Sequence, residues 1–190
     1  MPHFINSKTI GLDKELNDLD LFVLEFTKIL EKYTPYAVVS GYVALLFGRS
    51  RATEDVDIII PKIDREKFLK LFEDLKKEGY WCLNADDANS LFDDYLTQKV
   101  AVRFAKKNNV IPNIELKFAK NDFDLMTIKE RIKVQTLKGT IHISRLEEEI
   151  AYKETVLGSE KDLEDARFLR KVFEKNLNPM KIEEIKKTLK

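Results

Sequence analysis

Two aspartates, Asp55 and Asp57, open the apolar run Asp-Val-Asp-Ile-Ile-Ile. In an extended strand, residues i and i+2 face the same side, about 7 Å apart along the chain, so the two carboxylates share a face. Upstream stands Ser40-Gly41, where a short apolar strand turns into a helix. Paired carboxylates are hard oxygen donors for a divalent cation, and a turn entering a helix offers backbone N–H groups to phosphate. Such a pair of features suits phosphoryl or nucleotidyl transfer, which needs the charge of a polyphosphate neutralised and the attacking oxygen aligned. A third acid on a neighbouring strand would complete the set, and the best candidate is Glu115 in Asn-Ile-Glu-Leu-Lys-Phe. Ile114 and Leu116 are apolar, so Glu115 faces the opposite side, flanked there by Asn113 and Lys117.

The elements that must hold these residues follow from periodicity. Apolar positions Leu16, Leu19, Phe22, Val23, Phe26, Ile29 and Leu30 recur at helical spacing within 12–32, and Pro35 ends that helix. Residues 36–39 read as a strand. Ser40 is expected to cap a helix over 41–48 by accepting a backbone N–H of its first turn. A second strand covers 55–60, with Ile58, Ile59 and Ile60 buried, and stops at Pro61. Asp64 caps an amphipathic helix reaching about Lys77, with Phe68, Leu71, Phe72 and Leu75 inward. Strands are expected at 80–83, 99–105 and 112–118, short helices near 86–94 and 122–126, and a hairpin over 131–143 around Lys138-Gly139. Helices then fill the tail, over 146–157, over 161–176 and from Pro179 onward. Residues 1–11 are expected to be a poorly ordered lead-in.

The fold class that results is α/β (α+β): a mixed sheet core flanked by helices over 12–143, and a C-terminal helical region over 145–190 packed on it. Hydrophobic residues are 44% of the 190, enough to fill such a core. The formal net charge is zero, so no global basic field favours non-specific nucleic-acid binding. A single cysteine, Cys82, rules out an intrachain disulfide and a cysteine zinc cluster; it reads as a small buried hydrophobe. No apolar run is long enough to span a membrane and no secretory leader pattern opens the chain, which leads to the expectation of a cytoplasmic protein with no membrane partner.

The order of small residue pair, helix, Arg-x-Thr and Asp-x-Asp resembles the nucleotidyltransferase superfamily of the DNA polymerase β type. Ser40-Gly41, Arg51-Ala52-Thr53 and Asp55-Val56-Asp57 carry the likeness. It is closest to the branch of abortive-infection type nucleotidyltransferase toxins, in which a helix bearing a lysine precedes a Lys-Asp-x-x-Asp helix; here those are Lys153 and Lys161-Asp162 with Asp165. The resemblance implies a nucleoside triphosphate donor, Mg²⁺ (or Mn²⁺), and transfer of a nucleoside monophosphate to a hydroxyl acceptor on tRNA, a protein or a small molecule. It also implies Asp55, Asp57 and Glu115 as metal ligands, and Ser40, Gly41, Arg51, Thr53, Lys153 and Asp162 around the nucleotide. An antitoxin or toxin partner belongs to the same expectation. The chain departs from the pattern in having serine rather than glycine at 40 and glutamate rather than aspartate at 115. An alternative is a protein that keeps this fold and binds nucleotide or a partner with weak catalysis or none.

Each residue also has a plainer reading. Lys153 alone would be a solvated helix lysine. Asp162 and Asp165, one face of a helix start, could serve only the helix dipole, or one could orient Lys153 by a charge-assisted bond. Arg51 could pair with Glu54 or Asp55, and Arg103 could face the same cleft. Trp81 and Tyr80 read as core, and His142 as solvent- or crevice-facing.

Overall fold

The structure is a computed structural model, and it describes residues 2–189. Nine strands are present among the described residues: β1 (Pro2–Asn6), β2 (Thr9–Leu12), β3 (Ala37–Val39), β4 (Asp55–Ile60), β5 (Tyr80–Cys82), β6 (Val102–Lys106), β7 (Asn113–Phe118), β8 (Ile132–Thr136) and β9 (Thr140–Ile143). They make one mixed sheet in the order β1-β2-β8-β9-β3-β4-β7-β6-β5. β4 lies inside it, antiparallel to β3 and parallel to β7. The register sets Asp57 beside Val39 on one side and beside Glu115 on the other.

Alternation along β4 and β7 gives the sheet two unlike faces. Val56, Ile58, Ile60, Ile114 and Leu116 point into the main core, together with Phe22, Phe26, Phe68 and Phe72. Those phenylalanines belong to α1 (Asp18–Leu30) and α3 (Arg65–Lys77). Both helices start where the sequence offers a cap. Asn17 and Asp20 form a capping box, and Asp64 accepts the Lys67 N–H at 2.8 Å. The other face carries Asp57 beside Glu115, and further along Ile59, level with Lys117, packs with Ala37 and with Ile128 of α5 (Asp122–Lys129). The site therefore sits on the thinly covered face, while burial of the first face holds the strands in register.

The remaining helices are α2 (Gly41–Leu46), α4 (Ala88–Ser90), α6 (Leu146–Tyr152), α7 (Glu160–Val172) and α8 (Pro179–Thr188). α4 runs on into a π-helical turn and a 3-10 turn as far as Gln98. α6 likewise continues as a π-helical turn, Lys153–Leu157. Ala166, Leu169, Phe173 and Ile182 of the tail join the same buried cluster as the sheet.

Three expectations are corrected. Apart from Met1, which lies outside the described residues, the expected lead-in is mostly strand: β1 and β2 form a hairpin, and β2 pairs in parallel with β8. Phe4 meets Phe173 edge-on at 5.9 Å. These partners lie more than a hundred residues away, beyond any local pattern. Trp81 is not core: β5 is an edge strand, Trp81 is exposed, and its indole N–H donates to the Asn109 carbonyl at 2.8 Å, whereas Tyr80 and Cys82 point inward. Ser40 does not cap α2, because its side chain makes no cap bond.

Candidate active site

The turn from β3 into α2, the loop before β4 and the start of α7 enclose a cleft of about 580 Å³. Of the residues singled out in the sequence, Ser40, Gly41, Arg51, Thr53, Asp55, Asp57 and Asp162 line it. Glu115 stands beside Asp57 on the next strand. Lys153 lies underneath, with its side chain fully buried.

The turn owes its shape to backbone geometry. Ser40 has φ 65° and ψ −141°, a region that favours glycine and costs other residues about 1–3 kcal/mol. Its N–H does not point along α2; it donates to Glu149 Oε2 at 3.1 Å. Gly41 is needed for a different reason. A Cβ there would lie 1.8 Å from Arg51 Nη2, so the guanidinium can approach the helix start this closely only if residue 41 has no side chain. Arg51 does not pair with Glu54 or Asp55. Its Nη2 is 3.3 Å from Asp165 Oδ2, and its Nε is buried without a partner. That orphaned donor beside the turn suits a phosphate oxygen. Thr53 fixes the strand entry by donating to the Asp55 carbonyl at 3.0 Å.

The three acids differ in their surroundings. Asp55 is exposed at the lip of the cleft. Asp57 Oδ1 holds Lys117 Nζ at 2.6 Å. Glu115 Oε1 takes Arg103 Nε at 2.7 Å and Nη2 at 2.5 Å, so Arg103 faces the same sheet surface. Burial works against the Lys117 ammonium, but Asp57 outweighs it and holds its pKa above the ordinary value. The bond to Glu115 likewise raises Arg103. No group of three or more acidic, histidine or cysteine side chains among the described residues is set to hold a metal ion. Asp55 and Asp57 nevertheless fit Mg²⁺ chemistry, because that ion is commonly held by one or two carboxylates together with substrate phosphates.

Behind the turn lies a charged knot. Lys153 Nζ is 3.1 Å from Asp165, 3.4 Å from Asp162 and 3.5 Å from Glu149. Asp165 also takes Arg49 Nε at 2.6 Å. Glu149 accepts from Ser144 Oγ at 2.7 Å as well as from Ser40. Burial disfavours the Lys153 charge, yet Glu149 and Asp165 more than compensate and its pKa is raised. The charge-assisted bond anticipated between Lys153 and an aspartate is thus present, to both Asp162 and Asp165. Lys153 itself is not the solvated lysine that its position alone suggested. Asp162 also serves its helix start, since its N–H donates to Ser159 Oγ at 3.3 Å and its carboxylate accepts from the same hydroxyl.

Sequence reasoning missed Glu149, Arg49 and the Lys117 pairing. One signal was present for Glu149: it stands four residues before Lys153, the spacing at which helical side chains meet. Nothing local marked Arg49.

No protein-family model matches the sequence, and no curated protein does. Among solved structures, an antigenic nucleotidyltransferase-like protein from Paracoccidioides brasiliensis aligns over 87% of this chain and 83% of its own, with TM-score 0.51 and 16% identity. The chain has a nucleotidyltransferase-like fold. A candidate nucleotidyltransferase from H. pylori aligns over 92% of this chain and 77% of its own, at 22% identity and TM-score 0.48. At these identities the likeness concerns the fold. No helix among the described residues is long and apolar enough to cross a membrane.

Proposed function

We propose that the chain is a metal-dependent nucleotidyltransferase that moves a nucleoside monophosphate from a nucleoside triphosphate to a hydroxyl acceptor. The observation that supports this most is the convergence on one cleft of the serine-glycine turn, Arg51, Asp55 and Asp57 on a nucleotidyltransferase-like fold. The turn and the unpaired Arg51 Nε receive the polyphosphate. Asp55 and Asp57 would hold Mg²⁺ or Mn²⁺, which supplies charge neutralisation at the phosphates. Glu115, once released from Arg103, would complete the site and help activate the acceptor hydroxyl. The acceptor oxygen then bonds to the α-phosphorus as pyrophosphate leaves. Lys153 acts at one remove, holding Asp162, Asp165 and Glu149, and through them Arg51 and the Ser40 N–H. The acceptor is an RNA end, a protein or a small alcohol. A role in a toxin–antitoxin pair rests on the sequence resemblance.

Incubation with α-labelled nucleoside triphosphates, Mg²⁺ and RNA or protein acceptors tests this reading. Label should move to an acceptor with wild type and not with Asp57→Ala. Transfer that survives Asp57→Ala, or no transfer with any acceptor, contradicts it. A second reading, a nucleotide-binding or partner protein with a weakened site, is favoured by one observation. Asp57 and Glu115 are both already tied to basic side chains. Tight triphosphate binding without turnover in calorimetry would select it.

A further inference from the structure

A smaller cavity of about 210 Å³ adjoins the cleft, and Ser40 and Asp57 line both. Lys117 stands in the wall of the smaller one. Along β7, Ile114, Leu116 and Phe118 enter the main core, so Glu115 and Lys117 share the face of Asp57. The register sets Lys117 level with Ile59, two residues beyond Asp57. Its stem leans back across that step and brings Nζ to 2.6 Å from Asp57 Oδ1. This is the one hydrogen bond of the ammonium among the described residues. An ammonium carries three donors, so two remain unspent. Lys153 is the contrast, with a fully buried ammonium shared among three acids. The Lys117 side chain keeps 24% exposure, on a flexible four-carbon stem. Arg103, the other cation tied to an acid of the site, lines neither cavity and holds Glu115 through two nitrogens.

A divalent ion on Asp57 would face this ammonium across a single carboxylate, and cations that close repel. Metal alone therefore competes with Lys117. A triphosphate arriving with the ion reverses the sign, because its anionic oxygens are acceptors for the unspent donors. We propose that Lys117 is an exchangeable counter-cation: it neutralises Asp57 in the free protein and passes to the phosphates when metal and triphosphate enter together, which makes their binding cooperative. The ion and the triphosphate are taken from the nucleotidyl-transfer reading, on which the exchange rests. The Lys117–Asp57 pair then has a meaning other than a weakened site. A lysine that only blocks the site opposes metal alone and metal with triphosphate alike. A lysine that exchanges opposes the first and favours the second.

Calorimetry on wild type, Lys117→Met and Asp57→Ala separates these, with Lys117→Gln in place of Lys117→Met should that variant misfold. Two probes are titrated, Mn²⁺ alone and the preformed Mn²⁺–tripolyphosphate complex. Lys117→Met should bind Mn²⁺ alone about tenfold more tightly than wild type, and the complex about tenfold more weakly. Opposite signs for the two probes are the signature of exchange. Affinities that move in the same direction, as blocking would give, or that do not move, as a purely structural lysine would give, overturn the proposal. If Asp57→Ala still abolishes Mn²⁺ binding in that case, the metal site stands without the exchange. Mn²⁺ binding that survives Asp57→Ala overturns the metal site, and the exchange with it. Failure of wild type to bind either probe does the same.

Discussion

The open cleft and the charged knot behind it are built from the same residue types and differ in how completely those residues are satisfied. In the knot, Asp165 meets Lys153, Arg49 and Arg51, and Lys153 meets three carboxylates, with Lys153, Asp165 and Glu149 themselves buried. In the cleft, among the described residues, Asp57 pairs with one cation and Asp55 with none. Burial explains the difference. A desolvated charge is tolerated only with several partners, whereas a half-exposed carboxylate keeps water on its remaining lone pairs and can exchange it for a metal. On the proposed function the knot is the scaffold and the cleft the reactive surface, joined by Arg51 and by the Ser40 N–H on Glu149.

The sharpest way to break this contrast is Lys153→Met. It leaves the buried Glu149 with neutral donors alone and Asp165 with Arg49 and Arg51, and should cost about 3–5 kcal/mol of stability in urea denaturation. Loss of under about 1 kcal/mol, the range of exposed pairs, would erase the distinction. Asp57→Asn should behave oppositely: transfer falls on the order of 100-fold while the denaturation midpoint moves by no more than about 1 kcal/mol equivalent. Gly41→Ala probes the joint between the regions. It should dislodge Arg51 and weaken triphosphate binding about tenfold, seen by calorimetry, with the fold retained by circular dichroism.

pH sharpens the comparison further. The Lys153 pKa is raised above its ordinary 10.5, so its stabilisation is fully present below that pH and is lost as pH rises through the folded-state value. Wild type should therefore lose stability above about pH 10.5 more steeply than Lys153→Met in alkaline melts. Arg103→Gln has the smallest expected effect on stability, under about 1 kcal/mol. By freeing Glu115 it should raise Mn²⁺ affinity, measured by titration; unchanged affinity would remove Glu115 from the metal site.

What was legible in the sequence was what neighbours in the chain determine. The shared face of Asp55 and Asp57, the outward turn of Glu115 between Ile114 and Leu116, and the Asp64 cap all follow from periods of two or three residues. The burial of Lys153 depends on α7 and on a π-helical turn that no periodicity announces. The left-handed backbone at Ser40 is invisible because serine gives no sign of it, where glycine would have. The β1–β2 hairpin was missed because its parallel partner β8 is more than a hundred residues on.

The most direct measurement is calorimetric titration of a non-hydrolysable nucleoside triphosphate into wild type and into the Asp55→Asn, Asp57→Asn double variant, each with and without Mg²⁺. Binding that needs Mg²⁺ in the wild type and vanishes in the double variant is the expected result. Binding of equal strength in both proteins, indifferent to Mg²⁺, would contradict a cleft whose two aspartates hold the ion that holds the phosphates.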